Sequence, residues 1–301
     1  MNRLSEEVDE SIAGVWSSFT VGWQLAKVPL CLLISCSACF GAILAGRTAP
    51  FDVLYVSLSV FLLAMGGATI NSAQEAVVDG EMKRTAHRPL VRQAVSREFA
   101  VCLAIILVGL ALIMLSQVYR PVVCVSLGIS ALILYNAVYT PLKKETIFAI
   151  FPGAVCGAIP PLIGYFSAAG APFSYTSLLL FMLLFLWQVP HFYLVLLRHK
   201  DDYLQSNLPS FIKTLSEKGV KQLSYVWICG LALVMMLFSV TGGINQAGLK
   251  YLVVFNALLL VVIAGYNLVL RESPAYRSLF VCLNIMLLVH MITVGVGNYY
   301  L

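Results

Sequence analysis

Charge is scarce in this sequence. Only 11% of its 301 residues are Asp, Glu, Lys or Arg, where a soluble domain carries about a quarter. With 60% hydrophobic residues and a mean hydropathy of +0.90, disorder, collagen and coiled coil are excluded. The apolar residues also lack period-2 alternation and amphipathic stripes. Neither a β-barrel nor the two soluble domains suggested by length fits that pattern. No Ser/His/Asp or Cys/His grouping suited to nucleophilic catalysis is present. The first ten residues hold Glu6, Glu7, Asp9 and Glu10 against Arg3 alone, so neither a signal peptide nor a basic transit peptide is expected there. The net charge of +5 is modest, and no nucleic-acid partner is expected.

What the chain does contain is long apolar runs. A spanning helix needs about 20 mostly apolar residues. Nine runs qualify, over 28–45, 54–69, 100–115, 121–139, 148–166, 174–197, 223–240, 251–270 and 279–296. The expected fold is all-α: a polytopic membrane protein with about nine transmembrane helices around a central cavity that opens to the cytoplasmic side. If the N-terminus is cytoplasmic, the C-terminus lies outside and only Arg47, Arg120 and Lys250 fall on the outer face. The other sixteen of the 19 Lys and Arg residues are then inside, as the positive-inside rule requires. Residues 1–301 form one domain in this reading. It has a cytoplasmic N-terminal segment (1–24) and two long, charged cytoplasmic loops (71–98 and 198–222) of the kind that carry function. A bacterial-type inner membrane is the expected location. The eight cysteines lie mostly inside apolar runs. Cys36 and Cys39 form a C-x-x-C with no nearby histidine or second pair, which reads as helix packing.

Polar residues gather at the ends of a few spans. Asn71, Glu75 and Asp79 are spaced i, i+4, i+8. On a helix they turn through only about 80° while rising about 12 Å, so they share one face. Carboxylates at that depth are costly without a cation or water, and hard oxygen ligands suit magnesium. Arg84 and Arg88 follow, with planar forks that match phosphate oxygens. His87, Arg92 and Arg97 read as ordinary loop residues. After Pro141, Lys143 and Lys144 are either a phosphate contact or a plain positive-inside pair. The fifth span holds Pro152, Pro160 and Pro161 with Gly153, Gly157 and Gly164, the mark of a broken or closely packed helix. The sixth ends in Trp187-Gln-Val-Pro-His191-Phe192, then Arg198 to Tyr203. His191 could ligate a metal, move a proton or satisfy a backbone carbonyl. Asp202, with Asp201 as a further candidate, could hold a second magnesium opposite Asp79. His290, alone in the last span, reads as structural.

These stretches resemble a known family. Asn71-x3-Glu75-x3-Asp79, followed by Arg84-Thr85-x2-Arg88-Pro89-Leu90, resembles the first acidic motif of the UbiA-type intramembrane prenyltransferases. Three more segments are similar to the protohaem IX farnesyltransferase (haem O synthase) branch. They are Tyr139-Thr-Pro-Leu-Lys143, Gly157-Ala-Ile-Pro-Pro-Leu-Ile-Gly164 and Trp187-Gln-x-Pro-His-Phe192 leading to Asp202-Tyr203. The resemblance implies farnesyl transfer from farnesyl diphosphate to a vinyl group of haem B with addition of water, giving haem O and diphosphate. It implies magnesium held by Asn71, Glu75, Asp79 and Asp202, and diphosphate bound by Arg84, Arg88 and Lys143. His191 matches the family histidine, with a haem contact through iron or a propionate. Haem B is then a substrate and not a cofactor. Membrane lipid surrounds the chain, and haem A synthase or terminal oxidase assembly factors are the implied partners. Departures are Glu75 where many relatives have Asp, Arg198 four residues before Asp202 where a second carboxylate is usual, Lys27-Val-Pro29 for Lys-Pro-Arg, and Asn207-Leu-Pro-Ser210 for Gly-Ile-Pro-Met. Rival readings are a prenyltransferase of an aromatic or quinone precursor such as 4-hydroxybenzoate, a transporter, and a non-catalytic haem chaperone.

Overall fold

Long apolar runs leave the backbone no polar solvent, so each run must close its own hydrogen bonds as a helix. The computed structural model describes residues 20–46, 49–81, 85–168, 170–206, 209–240 and 244–299. Most of the 1–24 segment, Arg84 and Asn207 lie outside the described residues. Among those described there is no strand. The helices, in order, are α1 (Val28–Leu44), α2 (Pro50–Glu81), α3 (Arg97–Leu115), α4 (Pro121–Leu142), α5 (Ile150–Ser167), α6 (Tyr175–Arg198), α7 (Lys200–Gln205), α8 (Phe211–Leu237), α9 (Ala247–Gly265) and α10 (Tyr276–Tyr299). Among the described residues eight helices are long and apolar enough to cross a membrane, and α1, at 17 residues, is a shorter ninth. Successive spans run in opposite directions, which brings the ends of α2, α4 and α6 and the starts of α3, α5, α8 and α10 to one mouth of the bundle.

Two expected loops contain helix. The segment 71–98 begins as three further turns of α2. At 32 residues that helix is about 48 Å long, against a hydrocarbon thickness of about 30 Å. Its polar last turns end the apolar run without ending the helix. Within 198–222, α7 and the start of α8 take up most of the chain.

The helices meet closely because small residues face each other. A Cβ on Gly41 of α1 would lie 1.9 Å from the Pro161 carbonyl oxygen, and one on Gly164 of α5 would lie 1.9 Å from that of Ala38. The backbones of α1 and α5 therefore touch. Of the two alternatives open for the proline-rich fifth span, close packing holds: α5 is continuous through Pro160 and Pro161. Between α6 and α8 the core is filled by Leu180, Leu183, Leu194, Ile228, Leu231 and Met235, all fully buried. Large apolar side chains such as Leu33, Ile105, Val122 and Val262 point outward, the surface expected of a protein solvated by lipid tails.

Candidate active site

The last three turns of α2 carry Asn71, Glu75 and Asp79 into the mouth, where they are 2%, 4% and 6% exposed. Each meets a partner from another part of the chain. The Asn71 amide nitrogen donates to Thr140 Oγ1 at 2.9 Å, and its Oδ1 accepts from Lys27 Nζ at 2.5 Å. Lys143 forms an ion pair with Glu75 Oε1. Arg88 bonds Asp79 Oδ2 and lies 4.0 Å from Glu75 Oε2. Thr85, buried, donates to the Asp79 carbonyl at 2.8 Å, which helps to satisfy the end of α2.

Local backbone geometry places these cations. Lys27 adopts φ 51°, ψ 44° between the helical residues 20–25 and the first turn of α1. Ser72 Oγ donates to the Leu25 carbonyl at 3.1 Å and holds that entry segment on α2. A left-handed lysine is an uncommon, strained choice that marks functional sites. Burial, followed by the nearby Arg88 charge, lowers the Lys27 pKa to about 8. On the other side, residues Ile133–Tyr139 of α4 form a π turn, a form frequent at functional sites. Pro141 has no N–H to give the preceding turn. The Gln74 side chain makes up for it by donating to the Asn136 carbonyl at 3.1 Å. Lys143 then lies 5.5 Å from the centre of the Tyr139 ring.

An aromatic wall lies beside this cluster. Tyr135 stacks on Tyr139 at 5.9 Å, and Tyr139 meets Phe192 at 6.1 Å. On α6 the Trp187 and His191 rings are 4.6 Å apart, with Phe280 of α10 4.7 Å from His191. Trp187 Nε1 and His191 Nδ1 are buried without a hydrogen-bond partner among the described residues. Gln188 packs where a Cβ on Gly157 would come within 2.9 Å of its Oε1.

Other expected residues stand apart. Asp201 is exposed and Asp202 half-buried on α7. Among the described residues no three His, Cys, Asp or Glu side chains converge on a common point, so Asp202 does not complete a three-carboxylate cage with Glu75 and Asp79 in this arrangement. Lys144 is exposed, unlike Lys143. His290 is fully buried against Phe238, about 21 Å along α10 from the mouth. Cavities of about 380 Å³ and about 230 Å³ lie behind α2 near Arg97 and at the opposite end near Asp52. Neither takes in the cluster, whose space is occupied by its own paired side chains. Lys27, Gln74, Thr85 and Thr140 are site residues to which the sequence reading gave no role. Lys27, Thr85 and Thr140 lie in stretches quoted for the family resemblance; Gln74 carried no signal of its own.

The sequence profile of the UbiA prenyltransferase family matches residues 32–289. The chain belongs to this family. Among curated UbiA relatives, the protoheme IX farnesyltransferase of Geobacter sulfurreducens is 37% identical over 237 residues, covering 78% of this chain and 84% of the relative. Those of Nitratidesulfovibrio vulgaris and Synechocystis sp. are 31% and 32% identical, over 87% and 90% of this chain and 88% and 84% of theirs. The UbiA fold is seen in solved structures as well. A digeranylgeranylglyceryl phosphate synthase superposes with a TM-score of 0.75 at 15% identity, over 95% of this chain and 100% of that one. A UbiA homolog from Archaeoglobus fulgidus bound to GPP and Mg2+ superposes with a TM-score of 0.68 at 14% identity, over 93% and 100%.

Proposed function

We propose that this membrane enzyme transfers the farnesyl group of farnesyl diphosphate to a vinyl group of haem B, with addition of water, to give haem O and diphosphate. The observation that carries the reading is the buried Asn71–Glu75–Asp79 face, paired with Lys27, Arg88 and Lys143, in a chain whose curated relatives are protoheme IX farnesyltransferases. The charges fit a donor diphosphate. Two carboxylates and three cations leave one positive charge among the described residues, and a prenyl diphosphate with one magnesium carries about one negative charge.

The hard oxygens of Asn71, Glu75 and Asp79 fit magnesium, with Asp202 and then Asp201 as additional ligands from α7. Such an ion supplies Lewis-acid charge to the diphosphate oxygens. Arg88, Lys143 and, outside the described residues, Arg84 hold the diphosphate. As the allylic C–O bond breaks, its electron pair leaves with diphosphate, and these fixed cations stabilise the growing charge. The aromatic wall of Tyr135, Tyr139 and Phe192 keeps water from the allylic cation. The terminal vinyl carbon attacks it. Water adds to the carbocation left beside the pyrrole ring and then loses a proton. The unpartnered Trp187 Nε1 and His191 Nδ1 support an acceptor contact on α6, because buried polar atoms seldom stay unpaired. For His191 that contact is haem iron or a propionate.

In this reading the mouth faces the cytoplasm across a bacterial-type inner membrane, and the C-terminus lies outside. The product passes to a haem A synthase or to oxidase assembly factors. The test is an assay in membranes with haem B, radiolabelled farnesyl diphosphate and magnesium, followed by chromatography of extracted haems. Label should enter a more retained haem, and do so neither in Asp79→Ala nor with excess chelator. Label entering only added 4-hydroxybenzoate or a quinone precursor would overturn the acceptor. No transfer to either would overturn prenyl transfer and favour a haem chaperone or transporter.

A further inference from the structure

A second polar network at the mouth takes no part in the chemistry above. Glu217, in the second turn of α8, accepts from Lys200 Nζ on Oε2 at 3.0 Å and from the Tyr276 hydroxyl on Oε1 at 2.5 Å. One carboxylate thus joins α7, α8 and the first turn of α10. Lys213 Nζ adds a bond to the Ser206 carbonyl at 2.6 Å, just past the end of α7.

The helix that receives these bonds is short and lies at the surface. α7 has six residues, none of them buried. Helices that short do not hold themselves in water; Tyr203 of α7 packs against the main core, and the polar bonds add to that contact. The partner helices are long and seated in the core. Phe211, opening α8, packs edge-on against Tyr193 at 5.1 Å, and Tyr276 lies against the main core. Ser216, directly before Glu217, sits at φ 65°, ψ 166° inside α8. This left-handed break, which a serine rarely adopts, separates residues 211–215 from the rest of the helix beside the bridging carboxylate. Lys200 and Glu217 side chains are 42% and 37% exposed. Such a pair adds little to global stability, so its effect is on where α7 sits.

We propose that Glu217 is a positioning residue: by holding Lys200 and Tyr276 together it fixes α7, and with it Asp202, over the mouth. This rests on the magnesium role given to Asp202 above. Glu217 touches neither donor nor acceptor and acts through the helix it tethers.

The test uses full-length protein in membranes carrying Glu217→Gln, Asp202→Asn, both together, and the exchanged pair Lys200→Glu with Glu217→Lys. Glu217→Gln should raise the magnesium concentration for half-maximal transfer about fivefold, with kcat changed less than about twofold. In the Asp202→Asn background the same change should do nothing further, because residues acting through one another are not additive. The exchanged pair should recover most of the loss. Hydrogen exchange should speed about tenfold over residues 200–206 in Glu217→Gln and stay unchanged over 71–81. That measurement needs no turnover, so it decides the tether even if membranes transfer no prenyl group. Unchanged exchange at 200–206 would overturn the proposal. So would fully additive losses with Asp202→Asn, or a lowered melting temperature with kcat and magnesium dependence falling together.

Discussion

Replacing Lys143 by Met tests whether its charge serves the chemistry or only the orientation of the chain. Lys143 and Lys144 are neighbours of the same type, and the structure separates them. Lys143 reaches into the mouth and pairs with Glu75, whose side chain is 6% exposed, while Lys144 points to solvent. Removing one partner of a buried ion pair costs about 3–5 kcal/mol. Lys143 is itself 26% exposed, and Arg88 stands 4.0 Å from the other oxygen of Glu75 and can move in. The stability loss should therefore be smaller, about 1–2 kcal/mol. Transfer suffers more, because a cation facing a leaving diphosphate contributes about 3 kcal/mol, or about a hundredfold in kcat/KM. Lys144→Met should stay within about twofold of the unchanged protein, and Lys143→Arg should recover part of the loss, since its fork presents the charge differently. The assay is initial-rate transfer of labelled farnesyl groups in membranes, with expression matched by immunoblot. A fall in kcat means that Lys143 serves the transition state, and a rise in KM alone means that it binds the donor before reaction. Equal activity of Lys143→Met and Lys144→Met would refute the assignment and leave both as orientation signals.

Three other outcomes follow from packing and backbone. Gln74→Leu leaves the Asn136 carbonyl without its side-chain donor and should cost about 1–3 kcal/mol; Pro141→Ala in the same protein should restore it through the new N–H, read as melting temperature in detergent. Gly164→Ala drives a Cβ against the Ala38 carbonyl and should prevent accumulation of folded protein, while Gly109→Ala, with nothing within 4 Å, should be silent in the same size-exclusion trace. Ser216→Gly relieves the positive φ and should raise stability by about 1 kcal/mol. No change, or a loss, would show that the serine side chain does more than tolerate the break.

Much of this architecture was legible in hydropathy, because lipid permits only helices and each needs a long apolar run. Eight spans and the shorter α1 fall where those runs lie. What hydropathy could not show is where a helix continues into polar sequence, so the last turns of α2 and the whole of α7 read as loop. The i, i+4, i+8 spacing of Asn71, Glu75 and Asp79 placed them on one face, and the fold buries all three. Their partners were not readable, since Lys27, Thr140 and Lys143 come from segments 44, 69 and 68 residues distant from the residues they meet. Gln74 was hidden for another reason: its task is set by a proline on a different helix. Asp202 was a candidate ligand in the sequence, and the structure adds that it stands half-buried on the short helix α7, apart from Glu75 and Asp79.

The contact of α1 with α5 limits how a long isoprenoid can reach the mouth. Where two helix backbones touch at Gly41 and Gly164, no methylene fits between them, so that seam is shut to a farnesyl tail and to an acyl chain alike. A hydrocarbon that enters the bundle must thread a different crevice.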